Sequence, residues 1–143
     1  RAQIRSKDVG FVFQSFHLLP RLSALDNVMM PLEILGAKDA KERALKALDE
    51  VGLSKRTGHV PHQLSGGEKQ RVAIARAMVK APSILFADEP TGNLDQSSTD
   101  NILELLLGIN KQTKTTLVVV THDQQLASRS DMVFELQEGK LKC

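Results

Sequence analysis

Three apolar runs of the sequence end in polar residues that could perform acid–base and metal chemistry. These residues are Gln14, the adjacent pair Asp88 and Glu89, and His122. Mg²⁺ prefers one or two carboxylates and several waters, which indicates Asp88 as a metal ligand. Glu89 is then the candidate general base for a water, and His122 either contacts a transferred phosphoryl group or holds that base in place. Taken singly, each is better explained as a solvated strand end or a structural histidine, but their order in the sequence, together with the glycine pair at 66–67, favours a shared site.

A second candidate site is the stretch in which Ser65 is followed by Gly66 and Gly67. The residues from Glu68 to Val79 show apolar spacing typical of a helix, and Ser65 with Glu68 forms a capping-box pattern. Unpaired N–H groups at a helix N-terminus attract phosphate oxygens. The alternative is a glycine-rich turn before an ordinary helix. The presence of the polar strand ends in the same sequence favours a phosphate site at Ser65 to Gly67.

The elements that must position these residues alternate between strands and helices. We expect buried strands at 9–14, 84–87 and 116–121, helices at 39–51, 68–79, 97–110 and 124–127, and a hairpin of strands 132–136 and 140–141 around Glu138 and Gly139. Ser23 or Asp26 caps a further helix, which Pro31 interrupts or bends. This alternation predicts an α/β fold with a mainly parallel sheet, whose strand ends bring the polar residues to one rim.

Composition restricts the class of protein. The 143 residues suffice for one domain, and a net charge of +2 with Phe as the only aromatic type gives no reason to expect nucleic-acid binding. Cys143 is the single cysteine, which excludes an internal disulfide and is compatible with a reducing cytosol. We find no signal peptide and no apolar run of membrane-spanning length.

Five segments in this order resemble the nucleotide-binding subunit of ABC transporters. They resemble the Q-loop glutamine (Gln14), the signature motif (64–68), the Walker B strand with its catalytic glutamate (84–89), the D-loop (93–95) and the switch histidine (His122). Residues 10–14, 24–28 with Pro31 and Leu32, and 89–95 are similar more narrowly to the bacterial lipoprotein-releasing and macrolide-exporter group. One departure is Glu68, where many members carry Gln.

The resemblance implies a shared ATP site. It implies catalytic roles for Gln14, Glu89 and His122, ATP contacts from Ser65, Gly66, Gly67, Glu68 and Asp95, and Mg²⁺ ligation by Asp88 and Gln14. Glu89 would activate the attacking water, while the signature would bind the γ-phosphate of ATP held by a second copy of the subunit. It also implies transmembrane permease subunits as partners and a peripheral location on the cytoplasmic face of the inner or cell membrane. Residues 22–80 would form the helical subdomain, and 1–21 with 81–143 the catalytic core.

The phosphate-binding pattern G-x-x-x-x-G-K-[ST] does not occur in the 143 residues. The only Gly-Lys pair is Gly139-Lys140, followed by Leu141. In the family this loop precedes the Gln14 strand, so the implied fold is a P-loop NTPase-like α/β domain that lacks the phosphate-loop strand and the amino-terminal β subdomain. The first residue is Arg1 rather than Met, which agrees with a partial domain. We therefore expect the chain alone to bind ATP poorly and to hydrolyse almost none.

Two other functions stay open at this point. One is an ABC-type ATPase outside transport, although the segment between Gln14 and Ser65 contains no heptad run such as repair ATPases insert. The other is a non-catalytic interaction module, which the missing phosphate loop favours. The presence of both Glu89 and His122 argues against a decayed site.

Overall fold

A three-stranded parallel sheet forms the centre of the chain in the computed structural model, which describes residues 8–142. The strands are β1 (Val9–Phe13), β2 (Ile84–Asp88) and β3 (Thr116–Val120), hydrogen-bonded in that order. Phe13 pairs with Asp88, and Asp88 pairs with Val120, so the three strands end level with one another. The predicted α/β fold with a parallel sheet is confirmed.

The described residues also form five α-helices. They are α1 (Ala24–Ile34), α2 (Ala40–Glu50), α3 (Gly66–Met78), α4 (Gln96–Thr113) and α5 (Gln124–Ser128). Helices α1, α2 and α3 pack against one another, and α3 also contacts β1 and α4. Between residues 8 and 142, no helix has the length and apolar character needed to cross a membrane.

Helix α1 continues through Pro31, so of the two predicted effects of this proline, an interruption or a bend, the interruption does not occur. Of the two predicted caps, Ser23 is the N-cap, and its Oγ accepts a hydrogen bond from the N–H of Asp26 at 3.1 Å. The helix is not interrupted at Pro31, which lies in its interior. Proline removes one helical hydrogen bond, but the burial of Val28 and Leu32 holds the helix against its neighbours.

The prediction of fully buried strands is wrong, because the sheet is covered on one face. Side chains alternate between the two faces along a strand. Leu85 and Ala87 point into the core and are each 1% exposed. Phe11, Phe86 and Val118 are register neighbours on the other face and stay 51%, 37% and 39% exposed. The described residues therefore leave this second face largely uncovered.

A separate antiparallel hairpin lies near the end of the described chain. It consists of β4 (Glu135–Gln137) and β5 (Lys140–Lys142), with the predicted turn at Glu138 and Gly139 between them. The predicted strand at 132–136 is wrong in its first three residues, since the ladder with β5 ends where Glu135 faces Lys142. Cys143 lies outside the described residues.

Candidate functional site

The carboxyl ends of the strands bring together two of the predicted site residues. Glu89 Oε1 lies 2.9 Å from His122 Nε2, a hydrogen-bonding distance. Glu89 follows β2 directly and has a positive φ of 43°, which is uncommon for a residue other than glycine. Its N–H donates to the carbonyl of Val120 at 2.8 Å, which fixes the turn to the end of β3. The result is a carboxylate and an imidazole that face each other at the rim of the sheet.

Gln14 lies at the same rim but is held by the loop that follows β2. Its Nε2 donates to Asn93 Oδ1 at 3.2 Å, while Asn93 Nδ2 donates to the backbone carbonyl of Gln14 at 3.1 Å. Gly92 makes room for this pair, because a Cβ there would lie 2.6 Å from Gln14 Nε2. Asp88 ends β2 one register position from Gln14, with its side chain exposed. Gln14 and Asp88 thus occupy neighbouring strand ends.

The turn at Ser65 has the predicted capping box. Ser65 Oγ accepts from the N–H of Glu68 at 3.2 Å, and the N–H of Ser65 donates to Glu68 Oε2 at 2.9 Å. Helix α3 begins at Gly66, two residues earlier than predicted, because both glycines belong to its first turn. The N–H groups of Gly66 and Gly67 lie at the helix end, where no carbonyl of a preceding turn can accept from them. They remain donors that could face an anion.

Glu68 also forms an ion pair outside its own helix. Arg56 Nε lies 3.2 Å from Glu68 Oε1, and the two side chains are 48% and 27% exposed. The hydrogen bond from the Ser65 backbone is the largest cause that lowers the pKa of Glu68, and the charge of Arg56 acts in the same direction. Glu68 is therefore a carboxylate at neutral pH.

Asp95 caps helix α4 in this structure. Its carboxylate Oδ1 accepts from the N–H of Ser98 at 2.6 Å, and this backbone hydrogen bond lowers the pKa of Asp95. The side chain of Ser98 in turn lies close to the signature, since a Cβ on Gly67 would approach Ser98 Oγ to 3.1 Å. Asp95 thus holds the start of α4 next to the turn of α3.

Two residues that connect these parts were not predicted. Gln70 is fully buried, and its Nε2 donates to the carbonyls of Phe13, at the end of β1, and of Pro90, in the loop after β2. Arg76 donates to the carbonyls of His17 and Phe16 at 2.7 and 2.9 Å. The helical spacing of Gln70 with the apolar residues of α3 could have revealed it, because a polar side chain on a buried face needs a partner.

The chain belongs to the ABC transporter family, because the model of that family matches residues 1–92. It is 54% identical over 143 residues to the "Lipoprotein-releasing system ATP-binding protein LolD" of Legionella pneumophila strain Paris. It is 53% identical over 144 residues to the "Uncharacterized ABC transporter ATP-binding protein YbbA" of Escherichia coli strain K12. Both alignments cover 99% of this chain, which spans 63% of the length of each relative. The family predicted from the five segments is confirmed.

The same fold occurs in a solved structure, "Dimeric structure of a post-hydrolysis state of the ATP-binding cassette MJ0796 bound to ADP and Pi". It matches with a TM-score of 0.85 at 40% sequence identity and covers 99% of this chain and 64% of that chain. A second solved structure, "Dimeric Structure of MJ0796, a Bacterial ABC Transporter Cassette", matches equally well. The described elements therefore have the arrangement of an ABC ATPase cassette, as predicted.

Proposed function

We propose that the protein is the ATP-binding subunit of an ABC transporter and hydrolyses ATP to drive transport at a membrane. The observation that carries this proposal is the 2.9 Å contact between Glu89 and His122 at the carboxyl edge of the sheet. Phosphoryl transfer to water needs a group that orients and deprotonates the nucleophile, beside groups that stabilise phosphate charge. The relatives described as ATP-binding proteins support the same function.

Glu89 is the proposed general base. Its carboxylate accepts the proton of the attacking water while the new oxygen–phosphorus bond forms and the bond to the leaving ADP oxygen breaks. His122 restrains that carboxylate through their hydrogen bond, and its own side chain is 96% exposed, so it can also reach a γ-phosphate. The backbone bond from Glu89 to Val120 keeps the base at the rim.

Asp88 and Gln14 are the proposed ligands of Mg²⁺, and the donor set fits that ion. The two residues offer one carboxylate and one amide oxygen at adjacent strand ends. The described part of the chain contains no cluster of three or more His, Cys, Asp or Glu that could hold a metal by itself. A partial set suits Mg²⁺, which keeps several waters and shares phosphate oxygens. The bound ion would neutralise charge on the phosphates during transfer.

The turn at Ser65 is proposed to contact the γ-phosphate of ATP held by a second copy of the protein. Its donors are the N–H groups of Gly66 and Gly67, together with the Ser65 hydroxyl, whose hydrogen is not used by the capping box. Glu68 and Asp95 hold the two helix starts that border this turn. The dimeric solved cassettes support such a two-fold assembly.

The proposed membrane partners are transmembrane permease subunits, which place the protein on the cytoplasmic face of the inner membrane. Helices α1 to α3, within about residues 22–80, are the proposed helical subdomain that meets them. Its surface carries apolar side chains suited to a protein contact, with Ile34 78% exposed and Leu35 and Leu45 both 39% exposed.

Glu89→Gln tests the proposed activity in the protein made from its complete coding sequence. Magnesium-dependent phosphate release should fall by about 10²-fold or more, because the amide cannot accept the proton of the water. Glu135→Gln is the matched control, since Glu135 is exposed on the separate hairpin, and its rate should equal the wild-type rate. An unchanged rate in the Glu89 variant contradicts the proposal.

A further inference from the structure

Glu68 creates an electrostatic problem for the proposed phosphate contact. Its carboxylate lies in the first turn of α3, beside the N–H groups of Gly66 and Gly67. These donors would meet the γ-phosphate, which carries negative charge of its own. A second anion in the same turn opposes that approach, since like charges repel over several ångströms even in a wet site. Something must offset the charge of Glu68 before the turn can accept a phosphate.

Arg56 is the cation in contact with Glu68. Each carboxylate oxygen of Glu68 has its own partner: Oε2 accepts a hydrogen bond from the N–H of Ser65, and Oε1 lies 3.2 Å from Arg56 Nε. Lys69, the nearest lysine in sequence, has its Nζ 6.0 Å from the centroid of the Phe16 ring instead. Arg56 is therefore the residue that the geometry assigns to the neutralisation of this carboxylate.

The loop that carries Arg56 is fixed at both ends. The N–H of Arg56 donates to the carbonyl of Leu53 at 2.9 Å, and its carbonyl accepts from the N–H of His59 at 3.0 Å. The carbonyls of Thr57 and His59 accept the N–H groups of the first two residues of α1, at 2.9 and 2.8 Å. The guanidinium is thus presented to Glu68 by a loop that α1 holds in place.

We propose that Arg56 is a positioning residue that cancels the charge of Glu68 and so allows the turn at Ser65 to accept the γ-phosphate of a second copy's ATP. This inference depends on the proposed function. The capping box does not need Arg56, because both of its hydrogen bonds join Ser65 and Glu68. Loss of Arg56 therefore leaves the helix cap in place and exposes one uncompensated negative charge at the phosphate contact.

A double-mutant cycle separates this charge effect from loop packing. In the ATPase made from the complete coding sequence, Arg56→Ala should lower kcat/KM by about three- to tenfold, the size expected for one partly exposed charge at a helix end. Arg56→Lys should retain most of the rate. Glu68→Gln should raise kcat/KM, and Arg56→Ala should cost less than about twofold in that background, because the repulsive charge has been removed.

Salt and a matched ion pair provide two controls. The defect of Arg56→Ala relative to wild type should shrink between about 0.05 and 0.5 M salt, because screening weakens repulsion between exposed charges. Arg129→Ala breaks another exposed Arg–Glu pair, in which Arg129 Nη2 lies 2.7 Å from Glu104 Oε1. This variant should show wild-type kinetics at every salt concentration. Thermal unfolding of each variant checks that it is folded, and Glu68→Gln tests the charge even if Arg56→Ala does not fold.

The outcomes distinguish this inference from the proposed function. A wild-type protein without ATPase activity overturns both. If the wild type is active, three results would overturn the role of Arg56 alone. These are a wild-type rate for Arg56→Ala, an equally large defect of Arg56→Ala in the Glu68→Gln background, or a lower kcat/KM for Glu68→Gln. The expected rescue together with the salt dependence supports the inference.

Discussion

Replacing Gly92 with alanine should displace the side chain of Gln14 while hardly changing stability. A Cβ at position 92 would lie 2.6 Å from Nε2 and 2.9 Å from Cδ of Gln14, closer than real contacts allow. These are side-chain atoms, so Gln14 can rotate away without moving the backbone. Its rotation breaks the 3.2 Å hydrogen bond to Asn93 Oδ1. The second bond, from Asn93 to the Gln14 carbonyl, can remain.

The effect on the free energy of unfolding follows from two opposing contributions. Loss of one neutral, exposed hydrogen bond costs about 0.5–1.5 kcal/mol. Gly92 does not have a positive φ, so alanine can adopt its conformation, and Gly→Ala then stabilises by about 0.4–1 kcal/mol through the unfolded state. The net change should lie within about 1 kcal/mol of zero. Phosphate release should nevertheless fall by about 10- to 100-fold, the usual consequence of a misplaced ligand near a reaction centre.

The assay combines urea unfolding with magnesium-dependent phosphate release from the same preparations. Gly108→Ala is the control, because a Cβ there meets nothing within 4 Å and lies inside helix α4. This control should gain about 0.5–1 kcal/mol and keep the wild-type rate. Wild-type activity in Gly92→Ala would refute a role for the Gln14 position. A destabilisation above about 3 kcal/mol would refute the stability argument, since it would require the backbone to move.

Two further predictions concern the helix starts beside the proposed phosphate contact. Ser65→Ala should lower the free energy of unfolding, measured by urea denaturation, by about 1 kcal/mol, because it removes the N-cap acceptor for the N–H of Glu68. Ser97→Ala is the control and should have little effect. Equal losses of stability in the two variants would contradict a capping role for Ser65. The lowered pKa values of Glu68 and Asp95 mean that these carboxylates stabilise the fold above the usual carboxyl range, near pH 4, and that this stabilisation is lost as the pH falls through their folded-state pKa values. Glu68→Gln should reduce this acid-induced loss in pH-dependent unfolding, and an unchanged profile would show that Glu68 does not contribute.

Local sequence patterns predicted the parts of the site that depend on neighbours along the chain. The capping box of Ser65 and Glu68 needs only their three-residue spacing, and it forms as expected. Helix α2 likewise ends before Gly52, which has a positive φ of 76° that few other residues adopt. Strand ends followed by polar residues indicated the rim, because parallel strands place their carboxyl ends on the same side.

Properties that depend on packing between segments distant in sequence could not be predicted from local sequence patterns. An apolar strand such as β3 is expected to be buried, yet burial depends on whether an element covers each face, and Val118 stays 39% exposed. Arg56 contacts Glu68 of α3, and Arg76 of α3 contacts the carbonyl of Phe16. The residues in these two contacts are 12 and 60 positions apart, and no helix or strand period relates them. The positive φ of Glu89 could not be predicted either, because the residue at that position is neither glycine nor asparagine.

Helix α3 explains why the two candidate sites form one unit. Its first turn carries Ser65 and the glycine donors, while the buried Gln70 on the same helix donates to the carbonyls of Phe13 at the end of β1 and of Pro90 in the loop after β2. Arg76 binds two further carbonyls in the turn after β1. Close-packed interiors have low compressibility and transmit strain between neighbouring elements. We therefore expect a movement of the turn at Ser65 to shift the strand ends that carry the candidate base and metal ligands, so that the proposed contact with a second copy's ATP and the geometry of the rim change together.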